Sequence, residues 1–424
     1  MELETNKSGE YLDTKRTQQS DSNNNSNNNN NESHGTLLNY NGGSPNVSPV
    51  TQEEAKCRRV FIENEKVSST KADGETKSEN HDYIDINPLG PEIGRYSPSL
   101  VHLCVSIYSL LTLASAISTL AFLALLFTKY FYITLLYLTY IIWDRKTCNQ
   151  GGCRVDRVFR SKFWSYLAAY FPIRLRHTAN FKLDPNENYI LNYHPHGISA
   201  FGAVCVFGTN GLKFSELFPG IVTRFMVHET SFVMPVMKET FGLRGDCSVN
   251  SKSFDHILSS KWKNGKAGNL LTLVGGGLAE ADLSDAQVLK VVVAKRKGFV
   301  KKALIHGTHL IPCIAFGENS VFTKLHLVPG SILHRLENTW YRVFKFRHPI
   351  YYGRSAISDK AAGVLPYKRP ITVVMGDPIH VERIEDPSQE DIDQLHERYL
   401  TTLKAMYAAN KDLCSNYDKE MQLI

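Results

Sequence analysis

Two histidines one residue apart, His194 and His196, are the side chains of this chain best placed to do chemistry. They stand in Asn192-Tyr193-His194-Pro195-His196-Gly197, directly after the apolar run Tyr189-Ile190-Leu191. The pattern predicts a buried strand, a tight turn, and a helix starting in Ile198 to Ala203. Proline bends the chain, and Gly197 admits backbone angles that a side chain blocks. An imidazole with an ordinary pKa of about 6.5 is mostly neutral at pH 7, which suits a general base. Two other readings stay open. A histidine in an apolar stretch can be plain packing. The His-x-His spacing can also supply two metal ligands, but zinc needs further partners, and His228-Glu229 has no spacing to support it.

Three other stretches could act with the histidines. Leu271-Thr272-Leu273-Val274 runs into Gly275-Gly276-Gly277 and then Glu280. Such glycines can bring backbone N–H groups close to a phosphate or a developing oxyanion. No Gly-Lys-Ser/Thr follows, so this is not a P-loop. Glu280 can orient or pair with the His196 region, or simply hold a loop. Lys295, Arg296, Lys297, Lys301 and Lys302 make a basic helix, either a solvated face or a grip on an anionic substrate such as the phosphates of coenzyme A. The apolar run Ile311 to Phe316 ends at Gly317-Glu318-Asn319, and ligands bind at such carboxyl ends of strands in α/β sheets.

These stretches need a scaffold. Strands are predicted at Tyr189 to Tyr193, Leu270 to Gly275, Leu310 to Phe316, Pro349 to Tyr352 and Ile371 to Met375. Helices are predicted at Ser253 to Lys263 and Lys295 to His306. This alternation gives an α/β domain with a mostly parallel, buried sheet. Asp386-Pro387 predicts the cap of a C-terminal helix, with Ile392, Leu395, Tyr399, Leu403, Met406 and Tyr407 on its packed face.

Upstream the composition changes twice. Residues 1–95 are polar, with Asp21 to Asn31 almost all asparagine and serine, and are expected to be a disordered tail. Met1-Glu2-Leu3-Glu4 lacks the basic and apolar regions of a signal peptide. Residues 96–145 are expected to form a hydrophobic membrane hairpin. From Ser97 to Thr128 the only ionisable side chain besides tyrosine and cysteine is His102, and Tyr130 to Trp143 is again uncharged. The first run suffices for a membrane span of roughly 20 residues; the second is short for one. Lys129 opposes insertion by about 3 kcal/mol, which many apolar residues at about 0.3–0.6 kcal/mol each outweigh. Arg95 lies before the two runs, and Arg145, Lys146, Arg154, Arg157 and Arg160 after them, so both ends are expected to face the cytosol. From Arg154, the chain is expected to follow the membrane surface to Tyr170-Phe171-Pro172. Residues 146–424 then form the cytosol-facing domain.

A net charge of +6 over 424 residues is too weak to argue for nucleic acid, but fits an anionic lipid surface or a phosphorylated substrate. Eight scattered cysteines show no disulfide framework, and Cys148 and Cys153 lack a second pair for zinc. A reducing compartment is the simpler reading.

Taken in order, these motifs resemble the type-two diacylglycerol acyltransferases and their monoacylglycerol and wax-ester relatives. The resemblance covers roughly Phe122 to Asn410. It rests on the hydrophobic hairpin, Tyr170-Phe171-Pro172, Tyr193-His194-Pro195-His196-Gly197, Phe218-Pro219-Gly220, Val274-Gly275-Gly276 with Glu280, and Arg296-Lys297-Gly298-Phe299-Val300-Lys301. Pro312 with Phe316-Gly317-Glu318-Asn319, and Leu365-Pro366-Tyr367 with Pro370-Ile371-Thr372, complete it. Two departures stand out. Related glycerophosphate acyltransferases carry an aspartate five positions after the histidine, where this chain has Ser199 or Phe201. Asn250-Ser251-Lys252 stands where family members often place an arginine.

The resemblance implies an enzyme of the endoplasmic reticulum membrane and lipid droplet that moves an acyl group from acyl-CoA to diacylglycerol, with no cofactor beyond that co-substrate. It implies His194, His196 and Glu280 as catalytic residues. Gly197, Tyr170, Phe171, Pro172, Gly275, Gly276, Arg296, Lys297, Lys301, Glu318 and Asn319 are the expected substrate contacts. Phe122-Leu123-Ala124-Leu125 is similar to a short lipid-binding motif. Either histidine could be the base. No serine or cysteine sits in a nucleophile elbow, which favours direct transfer over an acyl-enzyme. Monoacylglycerol, a fatty alcohol or a sterol are alternative acceptors, and a non-catalytic droplet-coating hairpin is the distant alternative. A homo-oligomer is compatible with the pattern.

Overall fold

The strand that carries His194 shows why the sheet has two covered faces. Tyr189–His194 is buried along its whole length. Tyr189, Leu191 and Tyr193 belong to one hydrophobic core and Ile190 to another. Successive side chains of a strand point to opposite faces, so the two cores lie on either side of the sheet.

The computed structural model describes residues 83–87, 96–259, 268–325, 327–344, 350–356, 361–413 and 420–424. Eight strands make the main sheet: β1 (Tyr83–Ile86), β2 (Arg174–Thr178), β3 (Tyr189–His194), β4 (Val222–Val227), β5 (Cys247–Ser248), β6 (Asn269–Leu273), β7 (His309–Phe316) and β8 (Thr372–Met375). Their order is β1-β2-β8-β7-β3-β6-β4-β5. From β7 through β3, β6 and β4 to β5 every neighbour is parallel. Strand β8 is antiparallel to β7 and parallel to β2, and β1 is antiparallel to β2. The mostly parallel α/β sheet read from the sequence is present.

The helices that matter for the site are α1 (Pro98–Leu125), α2 (Phe131–Asp144), α3 (Lys162–Tyr170), α4 (Met237–Arg244), α5 (Ser251–Ser259), α6 (Gly277–Asp282), α7 (Gly298–His306), α8 (Ile332–Phe344) and α9 (Gln389–Asn410). Val101 and Val105 of α1 and Trp164 and Leu167 of α3 fill one core. Phe254 of α5, Val300 and Leu304 of α7, and Leu395 and Leu403 of α9 fill the other. Burying one such side chain stabilises the fold by about 1.5–3 kcal/mol. The six apolar positions read on the C-terminal helix are all buried. Its cap is Ser388, whose hydroxyl accepts from Asp391 N, rather than Asp386.

Other boundaries move for physical reasons. Helix α7 begins at Gly298, so Lys295, Arg296 and Lys297 precede it instead of lying on it. Strand β6 stops at Leu273, and the strand expected at 349–352 is Tyr351–Arg354. Within the tail expected to be disordered, Tyr83–Ile86 is an edge strand, held by its ladder to β2 and by Asp85 to Arg176 at 2.7 Å. Residues 1–82 and 88–95 lie outside the described residues.

The hydrophobic segment is a helical hairpin with unequal legs. Helix α1 has 28 residues and is the one described helix long and apolar enough to cross a membrane. Helix α2 has 14 residues and rises about 21 Å, short of a bilayer core of about 30 Å. The legs join where Thr134 Oγ1 donates to Phe122 O at 2.9 Å and the Phe122 and Tyr137 rings meet at 4.8 Å. Only 22% of the most apolar stretch of α1 is buried, and Leu110, Ile117, Leu120, Leu136 and Ile142 are exposed. Tyr137 reaches Glu239 at 3.1 Å, and Asp144 pairs with Lys238, fixing α2 to α4. The aromatic side chains of the segment after Arg154 turn into the fold, while Arg157, Arg160 and Lys162 stay exposed. Phe159, Trp164, Leu167, Tyr170 and Phe171 are core residues.

Candidate active site

His194 closes β3 between two parallel neighbours, β6 and β7. Its backbone is fixed by the ladder, opposite Ile314. The His194–Pro195 peptide is cis, and Gly197 follows at φ +55°. A Cβ at Gly197 would stand 2.9 Å from Glu318 Cγ, so both backbone angle and space require glycine there. The helical run of residues 201–208 then turns away from the strand end.

The second half of the site arrives from 86 residues away in sequence. Strand β6 ends, Val274-Gly275-Gly276 turns, and α6 carries Glu280 near its start. A Cβ on Gly276 would lie 2.0 Å from the Glu280 carboxyl carbon, so the turn is glycine because the carboxylate folds back over it. Glu280 is 1% exposed. Its Oε1 stands 2.9 Å from His194 Nδ1 and accepts from Val292 N at 2.9 Å. Its Oε2 accepts from His196 N at 2.8 Å. Two neighbours are fixed N–H donors, and an ionised carboxylate can only accept. In the neutral imidazole Nδ1 therefore carries the proton and Nε2 the lone pair.

That lone pair is the decisive feature. His194 Nε2 is buried and has no hydrogen-bond partner among the described residues. Burying a polar atom unpaired costs about 1–3 kcal/mol, so such an atom calls for an explanation. A carboxylate holding one nitrogen of a histidine while the other stays free is the arrangement of a general base. His196 is different. It is half-buried, and its Nδ1 lies 3.0 Å from the Gly197 carbonyl beside it. Burial pushes its pKa below the ordinary value, against the pull of that carbonyl and of Glu280, so it stays neutral at pH 7.

A second carboxylate pins the same turn from the other face of β3. Glu318 is fully buried. It accepts from Tyr193 Oη at 2.7 Å, from Phe201 N at 2.7 Å and from Gly202 N at 3.0 Å. Burial pushes its pKa up to about 7. Burial and the Glu318 charge push Tyr193 well above its ordinary value, so the phenol keeps its proton and donates.

The structure thus brings together His194, His196, Gly197, Gly275, Gly276 and Glu280. Arg296 joins them, donating from Nη1 to Gly275 O at 2.8 Å. Other expected substrate contacts lie elsewhere. Tyr170 and Phe171 are fully buried in the core instead of lining an interface. Tyr170 Oη donates to Pro366 O at 2.6 Å and accepts from Arg354 Nε at 2.8 Å, while Phe171 packs on Phe201 at 4.4 Å. Pro172 follows them, half-buried. Lys297 pairs with Asp393 at 2.6 Å and Lys302 with Asp255 at 2.5 Å, which uses two of the cations expected to grip an anion. Lys301 is exposed on α7. Glu318 and Asn319 are braces rather than exposed contacts: Asn319 accepts from Ser284 at 3.0 Å and donates to Asp285 O at 3.2 Å. The glycine turn makes room for Glu280 and for Asn192, whose Oδ1 lies 2.2 Å from where a Gly275 Cβ would be. Tyr193, next to His194 on the strand, is a neighbour of the turn that the expected site residues leave out.

Among the described residues, no three His, Cys, Asp or Glu side chains stand together as metal ligands. A cavity of about 470 Å³ lies at the foot of the hairpin, lined by Asp144, Arg145, Lys238, Asp246 and Lys252, and none of the expected catalytic or substrate-contact residues lines it.

The sequence profile of a family described as Diacylglycerol acyltransferase matches residues 123–424. The chain is 39% identical over 280 residues to Diacylglycerol O-acyltransferase 2 of Danio rerio, covering 66% of this chain and 76% of that one. It is 38% identical over 279 residues to the protein of the same name from Homo sapiens, covering 66% and 70%. It is 36% identical over 290 residues to Acyl-CoA wax alcohol acyltransferase 1 of Homo sapiens, covering 68% and 86%. No solved structure matches the chain significantly.

Proposed function

The chain belongs to the diacylglycerol acyltransferase family, and from that premise we propose that it transfers a fatty acyl group from acyl-CoA to diacylglycerol, with His194 as the base. The observation that carries this reading is the free Nε2 of an imidazole whose Nδ1 is held by Glu280. Nε2 takes the proton of the acceptor hydroxyl as its oxygen attacks the thioester carbon. The tetrahedral oxyanion collapses, the C–S bond breaks, and the thiolate takes the proton back from Nε2. Ester and free coenzyme A result, and the base is restored. Glu280 keeps the tautomer and stabilises the imidazolium between the two steps. Such base catalysis is worth about 10²–10⁴ in rate. The N–H groups of His196 and Gly277 are committed to Glu280 and to Val274 O, which makes Gly197, Gly275 and Gly276 the candidate oxyanion donors.

The exposed apolar faces of α1 and α2 support a site fed from a bilayer, where diacylglycerol resides. We place the chain in the endoplasmic reticulum membrane and on droplet surfaces, with the sheet domain in the cytosol where acyl-CoA is available.

The wax alcohol relative keeps a fatty alcohol as a second acceptor in view. The test is acyl transfer by membranes from cells without their own neutral-lipid synthesis. Labelled oleoyl-CoA is offered with diacylglycerol, monoacylglycerol or a fatty alcohol, using wild type beside His194→Ala. Triacylglycerol from wild type, and a loss of about 10³-fold in the variant, is the expected result. Full turnover by correctly inserted His194→Ala would overturn the mechanism, and preference for a fatty alcohol would change the acceptor.

A further inference from the structure

Helix α8 is amphipathic, and its apolar face is uncovered. Ile332, Leu333 and Leu336 fall on one side of it, 78%, 50% and 61% exposed. Arg335 lies off that stripe, and Arg342 follows about two turns further on, both exposed. Val328 just before the helix is 71% exposed, and Leu325, Ile350 and Val364 are exposed on the connected strands and loops. A run of this size is uncommon on the surface of a water-soluble domain and marks a contact site.

Two observations name the contact. The first is charge. From Arg335 to Arg347 the sequence carries Arg335, Arg342, Lys345 and Arg347 against the single Glu337, four cations less one anion, or +3 with histidine neutral. An apolar stripe with cationic flanks fits an anionic lipid surface. The second is continuity with the hairpin. Strand Thr323–Lys324, just before α8, pairs with Tyr351–Arg354. Phe322 stacks on Phe201 at 6.2 Å, and Phe201 meets Tyr108 of α1 at 5.4 Å. Arg354 donates to Tyr170, whose ring meets His102 of α1 at 5.9 Å. The small sheet that carries α8 is therefore built onto the same core face that α1 covers.

We infer that α8 is a second membrane contact, lying flat in the headgroup region of an anionic bilayer beside the hairpin. The inference rests on the membrane placement of the hairpin and not on the reaction assigned to His194. With α1 inserted and α8 on the surface, the domain is held at two points, which fixes its tilt and the distance of the catalytic turn from the bilayer.

The test uses the full chain in vesicles of phosphatidylcholine with phosphatidylserine, doped with a phospholipid carrying a photoreactive group near its headgroup. After illumination, adducts are mapped by mass spectrometry. The expected result is adducts on Val328, Ile332, Leu333 and Leu336 as well as on α1. Those on α8 should fall at least about fivefold when phosphatidylserine is omitted or Arg335 and Arg342 are both changed to Glu. Adducts on α1 alone would overturn the inference, as would protein–protein cross-links through α8 showing that a second copy covers it. Because the readout is adduct position, it holds or fails independently of acyl transfer.

Discussion

Glu280 and Glu318 are the same residue in nearly the same burial, each taking three hydrogen bonds, and they hold different partners. Adjacent residues of β3 point to opposite faces, so His194 meets Glu280 on one side and Tyr193 meets Glu318 on the other. Each carboxylate also fixes backbone of the connection beyond the strand, Glu280 at His196 and Glu318 at Phe201 and Gly202. The difference lies in the partners. Glu318 holds a phenol and two amides, which keep their protons at neutral pH. Glu280 holds an imidazole, the one side chain here of a type that can exchange a proton near neutral pH. Burial and the number of hydrogen bonds do not separate a brace from a catalytic neighbour; the chemistry of what is held does.

Three variants sharpen the contrast. Glu280→Gln should have the largest effect. An amide offers one acceptor oxygen to three donors, and its NH2 opposes an N–H. The tautomer of His194 is no longer enforced, and kcat should fall about 10²–10³-fold with KM little changed, measured by initial rates over acyl-CoA concentration. A loss below tenfold would reduce Glu280 to a brace like Glu318. His196→Ala should cost less, about tenfold, because this side chain bonds only its neighbour's carbonyl. A loss equal to that of His194→Ala would move the base to His196.

Glu318→Gln should spare turnover to within about tenfold and act on stability instead. At pH 5 it should destabilise by about 1–3 kcal/mol through mismatched donors. The sign of its pH dependence follows from burial. A folded pKa near 7 stands above the unfolded value of about 4.3, so the stability this group contributes is present below pH 4 and lost as pH rises through 7. The gap between wild type and Glu318→Gln should narrow from pH 5 to pH 8, read from thermal midpoints in nanodiscs. A gap that widens would contradict the assigned burial effect.

The His194–Glu280 half of this comparison was legible in the sequence and the Tyr193–Glu318 half was not. His-Pro-His-Gly after an apolar run, and an acid after a glycine turn, are local patterns with local causes. The meeting of Glu280 with His194 follows from β6 lying beside β3, which the strand alternation made plausible. Glu318 also ends a buried strand, and nothing nearby in sequence tells whether such an acid faces a ligand or the helix across the turn. The same holds for Tyr170 and Phe171, whose aromatic pair reads equally as interface or core until Pro366, Arg354 and Phe201 arrive from far along the chain. Lys297 and Lys302 look like a free basic face until Asp393 and Asp255 neutralise them. Four-residue β1 is too short to show against its polar surroundings and exists through its pairing with β2.

The unequal legs of the hairpin carry a consequence of their own. A return leg of about 21 Å limits how deep the tip can go, and Lys129 stands exposed at that tip. In a core about 30 Å thick, a gap of roughly 9 Å separates the lysine from the far headgroups. A snorkelling lysine stem and a few Å of local thinning close it. On the proposed insertion of the hairpin, hydrophobic mismatch makes it a gauge of bilayer thickness, seated at lower cost in a membrane a few Å thinner than in one a few Å thicker.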